Sequence, residues 1–171
     1  MNDFRIKDNH FYQNGEKKFL ISGEIHYFRI EKRLWEKHLE AAGKAGLSTI
    51  STYVPWAWHE PEENVFDFDG TTHPMRDLTG WLKLCQEYGL TCILKPGPFI
   101  LAEFRGAGLP DWFLERYLEE IKMRDSNGAI VSSDGVSLFN PTYLEKVACW
   151  YDQILPLIRD HQYSAGGPVI M

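Results

Sequence analysis

Cysteine is scarce in this sequence. There are three cysteines among 171 residues, Cys85, Cys92 and Cys149, and no two of them have the Cys-x-x-Cys spacing of a zinc or redox site. A disulfide scaffold needs an even and denser set of cysteines. The scarcity excludes such a scaffold, and we predict that all three cysteines are small buried residues, because they lie in apolar periodic segments.

Basic residues are in the minority and are scattered. The chain has 18 Lys and Arg against 24 Asp and Glu, which gives a formal net charge of −6. Because such a chain offers no basic patch for a polyanion, a nucleic acid is excluded as a partner. The apolar runs also break within a few residues, whereas a membrane span needs roughly 20. We therefore expect a soluble protein that has no membrane partner.

Targeting and ligand-binding motifs are missing too. The N-terminal residues lack the basic and apolar regions of a secretory signal, so we expect a cytoplasmic location, with secretion as the alternative if a signal was removed. No Gly-x-Gly-x-x-Gly or Walker sequence occurs, the six histidines lie far apart, and His59-Glu60 lacks the second His of a zincin motif. The sequence predicts neither a cofactor nor a metal site.

What the sequence has is an alternation of strand and helix patterns. Asn14-Gly15 predicts a type I′ turn in a β-hairpin over residues 11–19, and we expect the second arm to continue as an apolar strand at 19–23. Apolar periodicity predicts helices over about 31–46, 74–88, 109–122 and from 141 onward, strands at 47–54, 90–94 and from 169, and a polar connection at 125–140.

The order of these elements predicts the fold class. Two helix-to-strand joints, Ala45-Gly46-Leu47 and Tyr88-Gly89-Leu90, repeat one pattern, which indicates βα units and an α/β fold with a parallel sheet. The predicted strand starts amount to about half of a (β/α)8 TIM barrel, which usually needs about 250 residues. We predict that residues 1–171 are one domain, the N-terminal half of such a barrel, with about four βα units after the hairpin and a truncation at strand four.

Polar and aromatic side chains are concentrated where the predicted strands end, which is where parallel sheets place functional groups. The three ends offer Glu24, His26, Tyr27 and Arg29, then Tyr53, Trp56, Trp58, His59 and Glu60, then Lys95, Phe99, Glu103, Phe104 and Arg105. Carboxylates beside aromatic rings suit a sugar, and glycoside hydrolysis uses two carboxyl groups. The alternative is that the aromatic residues are core and the polar ones anchor loops.

Three stretches resemble motifs of glycoside hydrolase family 35, the β-galactosidases. They are SGEIHYFR at 22–29, TYVPW at 52–56 followed by His59-Glu60-Pro61, and PGPFILAEF at 96–104 followed by GLPDW at 108–112. The resemblance covers roughly residues 10–171 in order and includes GGPVI at 166–170.

This resemblance implies a retaining exo-β-galactosidase on a TIM barrel, without a cofactor, whose substrate is a β-galactoside oligosaccharide or glycoconjugate. It places the acid/base glutamate just after strand four and the nucleophile near the end of strand seven, both beyond Met171. Neither catalytic carboxylate is thus assigned to residues 1–171, and these residues alone are expected to be inactive.

The resemblance also implies a set of binding and supporting residues. The wall that binds the terminal sugar consists of Tyr53, Ile100, Leu101, Ala102 and Glu103, and the residues that support the site are Glu24, His26, Tyr27, Trp56 and Glu60. Leu101 stands where the family usually has Cys or Asn, which bears on the aglycone preference and, to a lesser degree, on the strictness for galactose.

Two other functions fit the same sequence. One is a related exo-β-glycosidase that acts on another β-linked sugar, such as a glucosaminide. The other is a non-catalytic carbohydrate-binding protein. The unpaired outer strands of a half barrel also predict association into a homo-oligomer.

Overall fold

The computed structural model describes residues 2–131 and 135–171, and the chain divides into two compact units. The first unit contains the residues up to Val54 together with Asp67–Pro96 and Pro156–Met171. The second unit contains Pro55–Phe66 and Gly97–Leu155.

The described residues form six strands and five α-helices. The strands are β1 (Phe4–Lys7), β2 (His10–Gln13), β3 (Glu16–Lys18), β4 (Ser22–Glu24), β5 (Thr49–Tyr53) and β6 (Thr91–Lys95). The helices are α1 (Trp35–Lys44), α2 (Trp56–His59), α3 (Leu78–Glu87), α4 (Asp111–Ile121) and α5 (Pro141–Asp160). Helices separate β4, β5 and β6 along the chain, so the predicted α/β class is confirmed.

The N-terminal residues form a three-stranded antiparallel sheet in the order β1-β2-β3. The predicted turn is confirmed, because Asn14 and Gly15 have the positive φ angles, 52° and 84°, that a type I′ turn needs. A second tight turn at Asp8-Asn9, with φ of 49° and 59°, joins β1 to β2. This strand and turn lie outside the prediction, although Asp and Asn tolerate the left-handed region better than most residues.

The apolar stretch after the hairpin is not a strand over residues 19–23, so that prediction is wrong in its bounds. β3 ends at Lys18, Phe19 is 87% exposed, and pairing resumes only at Ser22, which lies opposite Thr49. The ladder begins there because its partner β5 begins at Thr49. Before Ser22, the Ile21 carbonyl accepts a hydrogen bond from the Ser48 amide at 3.1 Å, so the contact with the segment before β5 begins one residue ahead of the strand.

The first unit contains a parallel sheet in the order β4-β5-β6. The last residues of the chain extend this ladder beside β6. Cys92 donates its amide to the Pro168 carbonyl (2.8 Å) and accepts from the Ile170 amide (2.9 Å), and Leu94 donates to the Met171 carbonyl (2.7 Å). Residues 168–171 therefore lie parallel to β6, where the sequence predicts the start of a further strand.

The two predicted helix-to-strand joints share one geometry. Gly46 and Gly89 follow α1 and α3 with φ of 86° and 70°. In each joint the amide of the next leucine bonds to the carbonyl five residues back, at 3.1 Å after α1 and 2.9 Å after α3. This hydrogen bond belongs to the Schellman motif, which needs a left-handed residue that glycine adopts without steric cost.

The predicted helix over 74–88 is divided into two pieces. A short 3-10 turn at Pro74–Arg76 precedes α3, and the Asp77 side chain between them accepts a hydrogen bond from the Gly80 amide (2.7 Å). Asp77 thus caps α3 and stops the first turn from merging with it, because its own backbone is non-helical.

The longest helix begins as the sequence predicts. The side-chain oxygen of Asn140 accepts hydrogen bonds from the amides of Thr142 (2.9 Å) and Tyr143 (3.2 Å), so Asn140 is the N-cap of α5. Of the polar connection predicted at 125–140, residues 132–134 lie outside the described residues. No helix in the described part of the chain is long and apolar enough to cross a bilayer.

Aromatic side chains form much of the buried core in each unit. In the first unit the largest buried side chains include Tyr27, Trp35 and Trp81, whose rings pack within 6.2 Å of one another, and in the second unit Trp56 packs on Phe113 at 5.4 Å. Cys85 and Cys92 are buried as predicted, but Cys149 is exposed. That prediction is wrong because position 149 falls outside the α5 stripe of residues 143, 147, 150 and 154.

Two glycines of the first unit are expected to respond oppositely to alanine. A Cβ at Gly167 would overlap the His161 carbonyl group, whereas a Cβ at Gly43, inside α1, meets nothing within 4 Å. We expect Gly167→Ala to destabilise the protein by about 1 to 3 kcal/mol, as overpacking does. Gly43→Ala should stabilise it by about 0.5 to 1 kcal/mol. Urea unfolding monitored by circular dichroism measures both, and equal effects of the two substitutions would contradict the backbone contact at Gly167.

Candidate functional site

Four side chains of the first unit meet at the carboxyl end of the parallel sheet, and we call Glu24, His26, Tyr53 and Lys95 the strand-end cluster. Glu24, Tyr53 and Lys95 are the last residues of β4, β5 and β6. Tyr53 pairs with Lys95, and Glu24 pairs with the residue two positions before Tyr53. Paired residues and residues two apart lie on one face of a sheet, so the register itself brings these three side chains together.

Lys95 connects the other two strand ends. Its Nζ donates to Oε1 of Glu24 at 2.8 Å and lies 3.8 Å from the centroid of the Tyr53 ring. The first contact is a charge-assisted hydrogen bond, and the second has the geometry of a cation–π interaction. The Lys95 side chain is 32% exposed, so both contacts are partly shielded from water.

His26 completes the cluster from the segment after β4. Its Nε2 lies 3.4 Å from Oε1 of Glu24, and its ring packs on Phe28 and Tyr53 with centroids 5.1 Å and 5.6 Å away. Burial is the main cause that lowers the pKa of His26, and the Arg29 and Lys95 cations lower it further against the opposing Glu24 carboxylate. His26 is therefore neutral at neutral pH.

The proton of the neutral His26 ring has one favourable position. Nδ1 is buried and has no hydrogen-bond partner among the described residues, whereas Nε2 faces Glu24. A proton on Nε2 lets the ring donate toward the carboxylate, so we assign this tautomer. Oε1 of Glu24 is thus approached by both Lys95 and His26.

Tyr27, which the sequence also places at this site, is a core residue. It is fully buried against Trp35 and Trp81, and burial raises the pKa of its phenol well above the usual value. Its place in the core means that it supports the segment containing His26 by packing.

The predicted sugar-binding residues 100–103 lie in one loop of the second unit. The Ile100 side chain is 2% exposed and packs against Gly108, while the Ile100 amide donates to the Ala107 carbonyl at 2.7 Å. Leu101 is 81% exposed, and Glu103 is exposed with a left-handed backbone (φ 52°). The buried Ile100 side chain anchors the loop, and the side chains of Leu101 and Glu103 are exposed.

Glu60 is a buried carboxylate of the second unit. It is 3% exposed and accepts hydrogen bonds from the Trp56 indole and from the Asn64 amide (2.8 Å), while the Trp112 indole donates to its backbone carbonyl (3.0 Å). Burial raises the pKa of Glu60, and the hydrogen bonds from Trp56 and Asn64 oppose that effect. Both oxygens of the carboxylate are therefore occupied in holding the loop after α2.

An ion-pair network beside Glu60 was not apparent from the sequence. Glu63 pairs with Lys146 of α5 (2.8 Å) and with Arg116 of α4. The Lys146 ammonium is the main cause that lowers the pKa of Glu63. The partners lie 53 and 83 residues from Glu63 along the chain, so no local pattern indicates them.

The raised pKa of the buried Glu60 carboxylate leads to a prediction about how stability depends on pH. Because the pKa of Glu60 is higher in the folded protein than in the unfolded chain, the folded protein holds a proton that the unfolded chain releases. The contribution of Glu60 to stability is therefore lost as the pH rises from the pKa of the unfolded chain through that of the folded protein. Glu60→Gln cannot ionise. We therefore expect the difference in unfolding free energy between the original protein and Glu60→Gln to favour the original protein more at pH 4 than at pH 7.

Urea unfolding of both proteins at the two pH values measures this difference. Glu62→Gln, at an exposed position of the same loop, is the control, and its difference should change little. A difference for Glu60→Gln that grows in favour of the original protein with rising pH would contradict the assignment.

Comparisons with known proteins identify the family. The sequence profile described as Glycosyl hydrolases family 35 matches residues 10–171. This chain belongs to that family. The resemblance seen in the sequence motifs is confirmed.

Among the described residues, no group of three or more His, Cys, Asp or Glu side chains is arranged to hold a metal ion.

Several curated relatives of this family 35 chain have different names. It is 47% identical over 164 residues to the beta-1,2-glucosyltransferase of Ignavibacterium album, covering 96% of this chain and 23% of the relative. It is 41% identical over 167 residues to the exo-beta-D-glucosaminidase of Pyrococcus horikoshii, covering 95% and 21%. It is 39% identical over 160 residues to the beta-galactosidase of Mus musculus, covering 94% and 22%. The chain spans about a fifth of the length of these relatives.

A solved structure shares the fold. The crystal structure of the beta-galactosidase from the psychrophilic Marinomonas ef1 superposes with a TM-score of 0.62 at 14% identity, covering 88% of this chain and 20% of that one. At this identity the likeness concerns the fold alone.

Proposed function

We propose that residues 1–171 are the N-terminal half of the TIM-barrel catalytic domain of a retaining exo-β-glycosidase. Family membership supports glycoside chemistry. The parallel order β4, β5, β6 and residues 168–171 in the first unit supports four consecutive barrel strands. The observation on which the proposal depends most is the strand-end cluster, because carboxylate, aromatic ring and cation stand together at the strand ends where barrel enzymes bind substrates.

The binding residues are proposed from their match to the family motifs. Tyr53 and the loop residues Ile100, Leu101, Ala102 and Glu103 are assigned to binding of the terminal sugar. Glu24, His26, Tyr27, Trp56 and Glu60 are assigned to support. The packing of Tyr27 and the fully engaged carboxylate of Glu60 favour a supporting role for these two.

The proposed mechanism is a double displacement. One carboxyl group protonates the leaving oxygen while a second attacks the anomeric carbon, and water then releases the sugar with the configuration retained. Both groups belong to family positions after residue 171. Residues 1–171 bind and orient the sugar in this scheme, and none of their carboxylates is the acid/base or the nucleophile.

Two sugars are candidates for the reacting residue. Terminal β-D-galactose is supported by the motifs and by the similarity to the mouse relative named beta-galactosidase. A gluco-configured sugar such as glucosamine is favoured by the higher identity to relatives named glucosyltransferase and glucosaminidase, 47% and 41% against 39%.

A substrate panel with the complete protein that contains these residues tests the proposal. Nitrophenyl β-galactoside, β-glucoside and β-glucosaminide are assayed beside the α-galactoside as a control for anomer selection. We expect turnover of one β-glycoside, with the retained anomer seen first by proton NMR. Turnover of none, or release of the inverted anomer, would refute the proposed function.

A further inference from the structure

Neither the motifs nor the comparisons assign a role to Lys95. It ends β6, and its ammonium group contacts side chains from the ends of both other strands of the parallel sheet. The contacts are a hydrogen bond of 2.8 Å to Glu24 and a distance of 3.8 Å to the centre of the Tyr53 ring. One cation thus connects β4, β5 and β6 at their carboxyl ends.

Fold stability is a weak explanation for this arrangement. A partly exposed ion pair contributes little to stability, because water solvates both charges in the unfolded chain and the flexible lysine must be ordered. The Glu24 side chain is 46% exposed and that of Lys95 is 32% exposed. The backbone ladder already joins β5 to β6 through five paired residues. The strands do not need the ammonium group to pair.

The contacts do fix the directions of two side chains. The cation lies over the Tyr53 ring, so rotation of the ring costs the cation–π attraction. Lys95 and His26 both approach Oε1 of Glu24, at 2.8 Å and 3.4 Å, which orients the carboxylate and leaves its second oxygen for another donor. Orientation of polar groups before the substrate binds is what a sugar site requires.

We propose that Lys95 is a positioning residue that holds the Tyr53 ring in the direction needed to bind the terminal sugar and fixes the direction of the Glu24 carboxylate that supports the site. The inference rests on the proposed glycosidase function. It assigns the effect to the positive charge of Lys95, since the aliphatic stem alone reaches neither partner through a polar contact.

Kinetics of the complete protein test the charge. Lys95→Met keeps the length of the stem and removes the ammonium group, Lys95→Arg keeps the charge, and Lys83→Met removes an exposed lysine of α3 as a matched control. We expect Lys95→Met to lower kcat/KM at least tenfold, with kcat affected more than KM, because misoriented groups bind the ground state better than the transition state. Lys95→Arg should recover most of the loss, and Lys83→Met should have no effect.

The melting temperature separates positioning from folding. It should change by no more than a few degrees in Lys95→Met, because the ladder of β5 and β6 remains. A double variant with Tyr53→Phe should lose less than the product of the two single losses, since Lys95 acts in part through Tyr53. A Lys95→Met enzyme within twofold of the original kcat/KM, or a loss that Lys95→Arg does not recover, would overturn the inference.

Crystal structures of the original protein and Lys95→Met distinguish failure of the inference from failure of the proposed function. If no glycoside is turned over by the original protein, the function fails, and the positions of Tyr53 and Glu24 still report on Lys95. We expect the Glu24 carboxylate to change rotamer or become disordered when the ammonium group is removed. Unchanged, well-ordered positions of both side chains would refute the positioning role whatever the activity.

Discussion

Residues 1–171 produced alone are expected to release no nitrophenol from any aryl β-glycoside that the complete protein hydrolyses. Retaining hydrolysis needs a nucleophile and an acid/base about 5 to 5.5 Å apart, and the proposed function assigns both to positions outside these residues. Losing both removes the covalent step and proton transfer together, so the rate should fall to that of buffer. Absorbance of released nitrophenol measures it, with circular dichroism to show that the helices are formed.

Substitutions show which carboxylate, if any, causes turnover by residues 1–171 alone. If the 171-residue chain turned over an aryl β-glycoside, Glu103→Gln and Glu24→Gln would show whether a carboxylate of this half is responsible, and exposed Glu62→Gln is the control. Turnover that Glu103→Gln or Glu24→Gln abolishes and Glu62→Gln leaves intact would refute the assignment of catalysis to later residues. Turnover that survives all three would point to a contaminating enzyme, which rate measurements across purification steps would reveal.

The parts of the fold that the sequence predicts are those whose physics is local. Asn14-Gly15 specifies its turn because few other residues adopt two successive positive φ angles. Gly46 and Gly89 mark helix ends for the same reason. Asn140 caps α5 through hydrogen bonds to residues two and three positions ahead. In each case a few neighbouring residues contain the whole cause.

The errors in the fold arise where a distant partner decides. Residues 19–21 look like a strand by apolar character, yet the paired register with β5 begins only at Ser22. Cys149 lies in an amphipathic helix, and the exposure of its side chain follows from the stripe that α5 buries. Neither fact is present in the local sequence.

The site divides in the same way. Strand ends rich in polar residues could be recognised from the alternation of strands and helices, and Glu24, His26 and Tyr53 do meet there. The contacts of Lys95 depend on the register of β5 against β6, which pairs it with Tyr53. The partners of Glu63 depend on the packing of α4 and α5. Register and helix packing are properties of the folded chain, so sequence patterns indicated the polar strand ends but not the ion pairs.

Replacing Glu103 by Gln in the complete protein is expected to lower kcat/KM for the preferred β-glycoside by about one to two decades. A hydrogen bond to a charged group is worth about 1.5 to 3 kcal/mol, and about 1.4 kcal/mol corresponds to a factor of ten. Tyr53→Phe removes a neutral hydroxyl, so its loss should be about two- to tenfold on the same reasoning. Steady-state kinetics with the preferred substrate measure both. Glu62→Gln, at an exposed position of an acidic loop, should stay within twofold of the original protein.

The backbone at Glu103 supplies a second variant that separates sugar binding from folding. Its φ of 52° lies in the left-handed region, which costs a side chain with a Cβ about 1 kcal/mol and costs glycine almost nothing. Glu103→Gly should therefore keep or raise the melting temperature while kcat/KM falls at least as far as in Glu103→Gln. Such a result would mean that Glu103 lowers stability through its backbone conformation but contributes its carboxylate to sugar binding. Backbone strain of this kind is common at functional sites. If Glu103→Gly instead lowered the melting temperature and Glu103→Gln left kcat/KM within twofold, Glu103 would be a loop anchor and its role in sugar binding would be abandoned.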